Sequence, residues 1–257
     1  MSYIEYSVKD RIGFVTLNRP EKRNALSFEL VTELKIAFTT LENDEHVKII
    51  ILNAYGPTFC AGADLMYLQQ LQNFSYEENL ADSNHLKELL LQIYTLKKVV
   101  IAQVQGHALA GGCGLATVCD FVFAVPEAKF GYTEVKIGFI PAIVMVFLLR
   151  KIGEANVKQL LLSGDLVSAE EAYRFGIVNK IVAKEDLANK VNTFAQNLLL
   201  SNSSHAMMVT KQMIAQVQSM SLDEALSFAA EMNAKARASE DCKKGVSAFL
   251  KKEKIVW

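Results

Sequence analysis

The stretch VVIAQVQGHALAGGCGLATVCDFVFAV, residues 99–125, decides the fold. Its opening run, VVIAQV, is β-branched and almost wholly apolar, the composition of a strand buried on both faces. A glycine-containing turn follows, and small residues at 110–116 open a helical stretch that ends near Asp120. FVFAV at 121–125 then returns to strand character. Strand, turn, helix and strand in so short a span is the order of an α/β core.

Working outward, VKIIIL at 47–52 reads as an earlier buried strand, with long helical patterns around it. Near the N-terminus, YIEYSV and IGFVTLN alternate apolar and polar residues across Lys9-Asp10-Arg11, which predicts a hairpin with one buried face. Ser27 suits a helix N-cap, and Leu30, Leu34, Ala37 and Leu41 recur behind it at helical spacing. From about residue 185 the pattern is helical only. MMVTKQMIAQVQ, LDEALSFAAEMNAKA and CKKGVSAFLKK each carry an apolar stripe that the core or a neighbouring subunit must cover.

With 257 residues, 51% hydrophobic and 21% charged, the chain can bury a large core. Its 27 Lys and Arg against 28 Asp and Glu leave a net charge of -1. Without a long basic run, no nucleic-acid partner is expected. The segment MSYIEYSVKD is too charged for a signal peptide, and no apolar run reaches membrane-spanning length, so a cytoplasmic chain without membrane contact is expected. Cys60, Cys113, Cys119 and Cys242 show no C-x-x-C spacing and read as space-filling thiols; no metal site is expected.

Two segments carry chemistry, FCAGADL at 59–65 and GHALAGGCGLA at 106–116. Each follows a predicted buried strand and enters a helix, where unpaired N–H groups meet small residues and a ligand carbonyl can approach. The N–H of Ala63 is a candidate oxyanion donor in the first segment, those of Gly111 and Gly112 in the second. For either segment alone, glycines that merely permit a tight turn are the competing reading. GGCGLA lacks the G-x-G-x-x-G spacing of a dinucleotide loop.

LNRPEKRNALS, FCAGADL, GHALAGGCGLATVCD, KFGYTEVKIGFIP, LLSGDLVSAEEAYRFGIVNKIV and GVSAFLKKEK resemble, in order and spacing, the segments of the crotonase (enoyl-CoA hydratase/isomerase) superfamily. The resemblance covers nearly the whole chain. It implies an α/β fold with a repeated ββα spiral core over residues 1–195 and a C-terminal helical trimerisation region over 196–257, assembled as a homotrimer or a dimer of trimers. It also implies an acyl-CoA substrate, with no cofactor beyond the CoA that is part of that substrate.

The thioester oxygen would then be held by the N–H groups of Ala63 and Gly111, and Glu134 in FGYTEVKIG matches the catalytic glutamate. Phe130, Tyr132, Val135, Ile137 and Phe139 are expected to surround it with an apolar pocket. The resemblance assigns substrate or CoA contacts to Arg23, Ala25, Leu26, Ala61, Asp64, Leu65 and Tyr132. It assigns Phe249 and Lys252 to the CoA of a neighbouring subunit. For Asp64 the reading as a helix-capping carboxylate is preferred over a direct CoA contact.

Two departures bear on the reaction. Where typical hydratases read G-G-G-C-E-L-A, this chain has Ala110-Gly111-Gly112-Cys113-Gly114-Leu115-Ala116, so Gly114 stands at the second glutamate. Bulky apolar residues at 140–147 also replace a glycine-rich stretch. An enoyl-CoA hydratase/isomerase reaction with one glutamate is expected. The alternatives are a Δ3,Δ2-enoyl-CoA isomerase only, a CoA-binding protein without alkene chemistry, and a hydrolase built on Cys113 and His107. Tyr132 and Cys113 are candidates for holding a water beside Glu134.

Overall fold

The computed structural model describes residues 2–255 and 257. The chain opens with a hairpin of β1 (Ile4–Lys9) and β2 (Ile12–Leu17), then runs through α1 (Phe28–Asn43), β3 (Ile49–Ala54), β4 (Thr58–Cys60), α2 (Leu65–Leu71) and α3 (Tyr76–Thr95). The deciding stretch forms β5 (Val99–Val104), β6 (His107–Leu109), α4 (Gly111–Thr117) and β7 (Phe121–Ala124). Next come β8 (Lys129–Gly131), α5 (Ala142–Ser163), β9 (Val167–Ser168), α6 (Ala169–Phe175) and β10 (Lys180–Ile181). Four helices close the chain: α7 (Leu187–Ser201), α8 (Ser204–Val217), α9 (Leu222–Ala238) and α10 (Glu240–Lys251).

These strands build two sheets. The larger has the order β1-β2-β3-β5-β7-β10, the smaller β4-β6-β8-β9. Only the β1–β2 and β8–β9 pairs are antiparallel; β2 to β10 in the larger sheet and β4 to β8 in the smaller run parallel. Each turn of the chain lays one strand in the larger sheet and the next in the smaller: β3 then β4, β5 then β6, β7 then β8. This is the repeated ββα spiral that the resemblance implies.

The long strands form because their residues are apolar on both faces. Ile49 to Leu52 and Val100 to Ala102 are fully buried, with α7 and α8 packed against β5. α1 buries the expected stripe of Leu30, Leu34, Ala37 and Leu41, and Ser27 Oγ accepts the Leu30 N–H at 3.4 Å to cap it. The expected division at 195/196 falls inside α7, whose buried face runs unbroken from Leu187 through Val191 and Ala195 to Leu199. That helix is one packed unit and belongs whole to the core.

Beyond α7, one buried cation ties the tail to the core. Lys211 of α8 donates to the carbonyls of Ile93 (3.1 Å) and Lys98 (2.9 Å) and to Asp120 (2.7 Å). α9 and α10 bury no residue fully, and Leu222, Leu226, Phe249 and Leu250 stand exposed on them. No helix among the described residues is long and apolar enough to cross a membrane.

Candidate active site

Three groups foreseen in the sequence arrive at the ends of three neighbouring strands. Ala63 follows β4, Gly111 follows β6 and Glu134 follows β8. These strands are parallel neighbours, Cys60 beside Ala108 and Leu109 beside Gly131, so their C-terminal ends point the same way. Ligand sites of α/β sheets form at such ends.

The two backbone donors are aimed from behind. A trans peptide is planar, so fixing its carbonyl fixes the opposite direction of its N–H. The Gly62 carbonyl accepts the Leu26 N–H at 2.7 Å, and Leu26 O accepts the Asp64 N–H at 2.8 Å. This parallel bridge of Leu26 and Ala63 turns the N–H of Ala63 away from Leu26, and Ala63 is exposed. In the second donor peptide the Ala110 carbonyl accepts the Gly114 N–H at 3.0 Å, while the Ala110 N–H donates to Gly131 O at 2.7 Å. Gly111, at the first position of α4, has no intrahelical acceptor for its own N–H.

Close packing brings the two donors together. A Cβ on Gly62 would lie 2.8 Å from Ala110 Cβ and 3.6 Å from Gly111 N, and one on Gly112 would lie 2.3 Å from Cys60 O. Ala110 itself sits at φ 49, ψ -126, a backbone region that strains an alanine by about 1–3 kcal/mol.

The loop carrying Arg23, Ala25 and Leu26 is stitched to this site. Ala61 N–H donates to Arg23 O at 3.0 Å, Ala25 and Leu26 are buried, and Arg23 is exposed. Two residues that the sequence reading passed over hold the loop in place. Asn24, fully buried, accepts the Arg19 N–H and donates to the carbonyls of Tyr55 and Thr58. Arg19 pairs with Asp64 at 2.8 Å. Their only sequence signal is their place within LNRPEKRNALS.

Asp64 is a cap: it accepts the Met66 and Tyr67 N–H groups at the start of α2. Burial pushes its carboxyl upward, but those two N–H groups and the Arg19 guanidinium outweigh it and hold the pKa below the ordinary value. This contribution to stability is present above the ordinary carboxylate pKa and is lost as pH falls through the lowered one. Asp64→Ala is expected to destabilise the protein by about 1 kcal/mol from the lost cap alone, with a further loss from the mostly buried Arg19 guanidinium left without its carboxylate partner. Urea unfolding of the variant measures the sum.

Glu134 opens a 3₁₀ turn, Glu134–Ile137, that Gly138 closes at φ 76. Burial raises its pKa, opposed in part by its own backbone N–H, and Oε2 is buried with no donor among the described residues. Burial lifts the Cys113 thiol to about 11, and the Glu134 charge adds to that rise. A buried carboxylate with a raised pKa can take a proton and return it, and preorganised backbone donors can hold the charge that develops meanwhile.

Several expectations are corrected here. Phe130 and Tyr132 are buried, but Ile137 and Phe139 are 73% and 56% exposed, so the expected apolar surround is open to solvent at these two positions. Tyr132 is fully buried with its hydroxyl 3.0 Å from Thr117 Oγ1, a core position rather than an open contact for substrate or water. Cys113 is equally buried, and its neighbours are the Tyr132 and Thr117 hydroxyls. His107 is exposed, and its Nδ1 takes the Lys129 N–H at 3.1 Å. The nucleophile–base pair of a hydrolase is therefore not formed.

Leu65 is 81% exposed beside Ala63. Phe249 is 82% exposed on α10, which packs against α9, and Lys252 ends that helix at φ 57. A hollow of about 1320 Å³, lined by Thr117, Lys151, Lys211, Met232 and Val246 among others, lies at the opposite end of α4 from Gly111. It is a gap beneath the tail helices, away from the three strand ends.

Gly114 has no room for a side chain. A Cβ there would lie 2.2 Å from Val144 Cγ1, so the two departures noted in the sequence are one: a residue of the apolar stretch fills the place of the absent glutamate.

Known proteins resemble the chain over nearly its whole length. The enoyl-CoA hydratase/isomerase family model matches residues 7–257. A Thermus thermophilus relative carrying an enoyl-CoA hydratase designation is 40% identical over 95% of this chain and 96% of its own. The crotonyl-CoA hydratase of Syntrophomonas wolfei is 36% identical over 96% of this chain and 94% of its own. The crystal structure of an enoyl-CoA hydratase from Shewanella pealeana superposes with a TM-score of 0.93 at 29% identity, covering 99% of this chain and 96% of that one. With the family model matched across residues 7–257 and the spiral fold shared with these structures, the chain belongs to the enoyl-CoA hydratase/isomerase family, the crotonase superfamily.

Proposed function

We propose that the protein shifts the double bond of an enoyl-CoA thioester between the Δ3 and Δ2 positions, with Glu134 as the proton carrier. The carrying observation is the packing of Val144 against Gly114, which leaves Glu134 without a second carboxylate. The N–H groups of Ala63 and Gly111 would hold the thioester oxygen as charge gathers on it. Glu134 would take the α-proton and return it at the γ carbon, a step that needs no other reactant.

A second reading, hydration of the Δ2 double bond, is favoured by the names of relatives, which include a crotonyl-CoA hydratase and a short-chain-enoyl-CoA hydratase. Incubation in heavy water with crotonyl-CoA and with a 3-enoyl-CoA separates the two. Conversion of the 3-enoyl-CoA to its Δ2 isomer supports the first reading, with deuterium at the γ carbon only to the extent that the Glu134 carboxyl exchanges with solvent during the transfer; hydration of crotonyl-CoA without isomerisation sinks it.

The CoA would lie along Arg23, Ala25, Leu26 and Ala61, with Leu65 facing the acyl part and Asp64 acting from behind. Phe249 and Lys252 would meet the CoA of a neighbouring subunit in a homotrimer or a dimer of trimers. The exposed leucines of α9 and α10 support such an assembly. A cytoplasmic setting is supported by four cysteines that form no disulfide.

A further inference from the structure

Gly114 and the first turn of α5 form one packed unit. Val144 is buried, and a Cβ on Gly114 would stand 2.2 Å from its Cγ1 and 3.1 Å from its Cβ. α5 keeps this register through Lys151, which lies two helical turns further along the same face. Its Nζ donates to the carbonyls of Thr117 (2.8 Å) and Cys119 (2.9 Å) at the far end of α4. The same helix also packs on the turn that carries Glu134, whose Oε2 is buried without a donor among the described residues.

We propose that Val144 is the specificity-determining residue of this site, its isopropyl group filling the volume from which water would reach the β carbon. This rests on the Glu134 chemistry proposed above. With that volume filled, the enolate resolves by return of the Glu134 proton to carbon. With it open, a water oxygen can bond to the β carbon, one of its protons passing to Glu134 and then to the α carbon. Truncation to alanine removes two methyl groups at the Gly114 position, enough space to admit one water of about 30 Å³.

The test compares wild type, Val144→Ala, and the double variant Gly114→Glu/Val144→Ala on crotonyl-CoA and a 3-enoyl-CoA in heavy water, measuring 3-hydroxyacyl-CoA and migrated double bond separately. The ratio of hydration to isomerisation is expected to rise at least tenfold in Val144→Ala and further in the double variant. A ratio within twofold of wild type in both folded variants overturns the role of Val144 and leaves that of Glu134 standing. Absence of any migrated double bond with wild type overturns the Glu134 isomerisation reading itself, and this inference with it.

Discussion

Glu134→Gln is expected to lower enoyl-CoA turnover by about 10²- to 10⁴-fold, the usual contribution of a positioned acid–base group, while thioester affinity stays within a few-fold of wild type. Affinity is kept because the Ala63 and Gly111 donors belong to the main chain and the substitution leaves them where they are. The same change is expected to raise thermal stability at neutral pH. Burial raises the Glu134 pKa, so its stabilising contribution is complete below the ordinary glutamate pKa and is lost as pH rises through the folded value. At neutral pH the wild-type protein therefore holds a poorly solvated carboxylate that glutamine replaces with a neutral amide. Calorimetry should show the two midpoints converging toward acid pH, and the acid limb of the wild-type rate profile should lie above the ordinary glutamate range. Full activity in the variant would remove Glu134 from the mechanism.

Gly112→Ala is expected to lower turnover by about 10²-fold or more, the effect of losing one oxyanion donor, and to destabilise the protein by about 1–3 kcal/mol through overpacking. The new methyl would stand 2.3 Å from Cys60 O and 2.7 Å from Cys60 Sγ. Relief requires α4 and β4 to separate, and each carries one donor of the pair, so the distance between the Ala63 and Gly111 amides opens with them. Because the nearest atom is a backbone carbonyl, trimming the neighbour with Cys60→Gly should restore little of the activity. Rescue by that second change would mean that side-chain crowding, not strand separation, causes the loss. Steady-state kinetics beside urea unfolding distinguishes the two.

The strands of the larger sheet could be read from the sequence because they are long and apolar throughout. β3 and β5 stand out as VKIIIL and VVIAQV, and burial on both faces is what such runs specify. The three strands that deliver the site could not be read this way. Thr58–Cys60, His107–Leu109 and Lys129–Gly131 have three residues each, too few for any period to show. Ala63, Gly111 and Glu134 were identified by the chemistry of their segments and by family resemblance rather than by the strands that bring them together.

Other features exist only in three dimensions. Asn24 and Arg19 look like ordinary loop residues until burial reveals that every polar atom of the Asn24 side chain has a backbone partner. Gly114 reads as a missing glutamate, but why glycine stands there depends on Val144, a contact between helices far apart in sequence. Ile137 and Phe139 differ for the opposite reason: closeness to Glu134 along the chain suggests a buried wall, and both side chains are exposed.

The three parallel strand ends also govern where the chain can change length. Ala63 comes three residues after Cys60, Gly111 two after Leu109 and Glu134 three after Gly131. One residue inserted in any of these intervals would displace a reacting group by about 3 Å along extended chain, enough to take it out of hydrogen-bond reach. Segments that merely join helices of the tail, such as the exposed end of α9 before Ser239, carry no such constraint. Insertions and deletions should therefore be tolerated in such joins and rejected just after β4, β6 and β8, so that these three spacings act as a ruler for the proposed reaction centre.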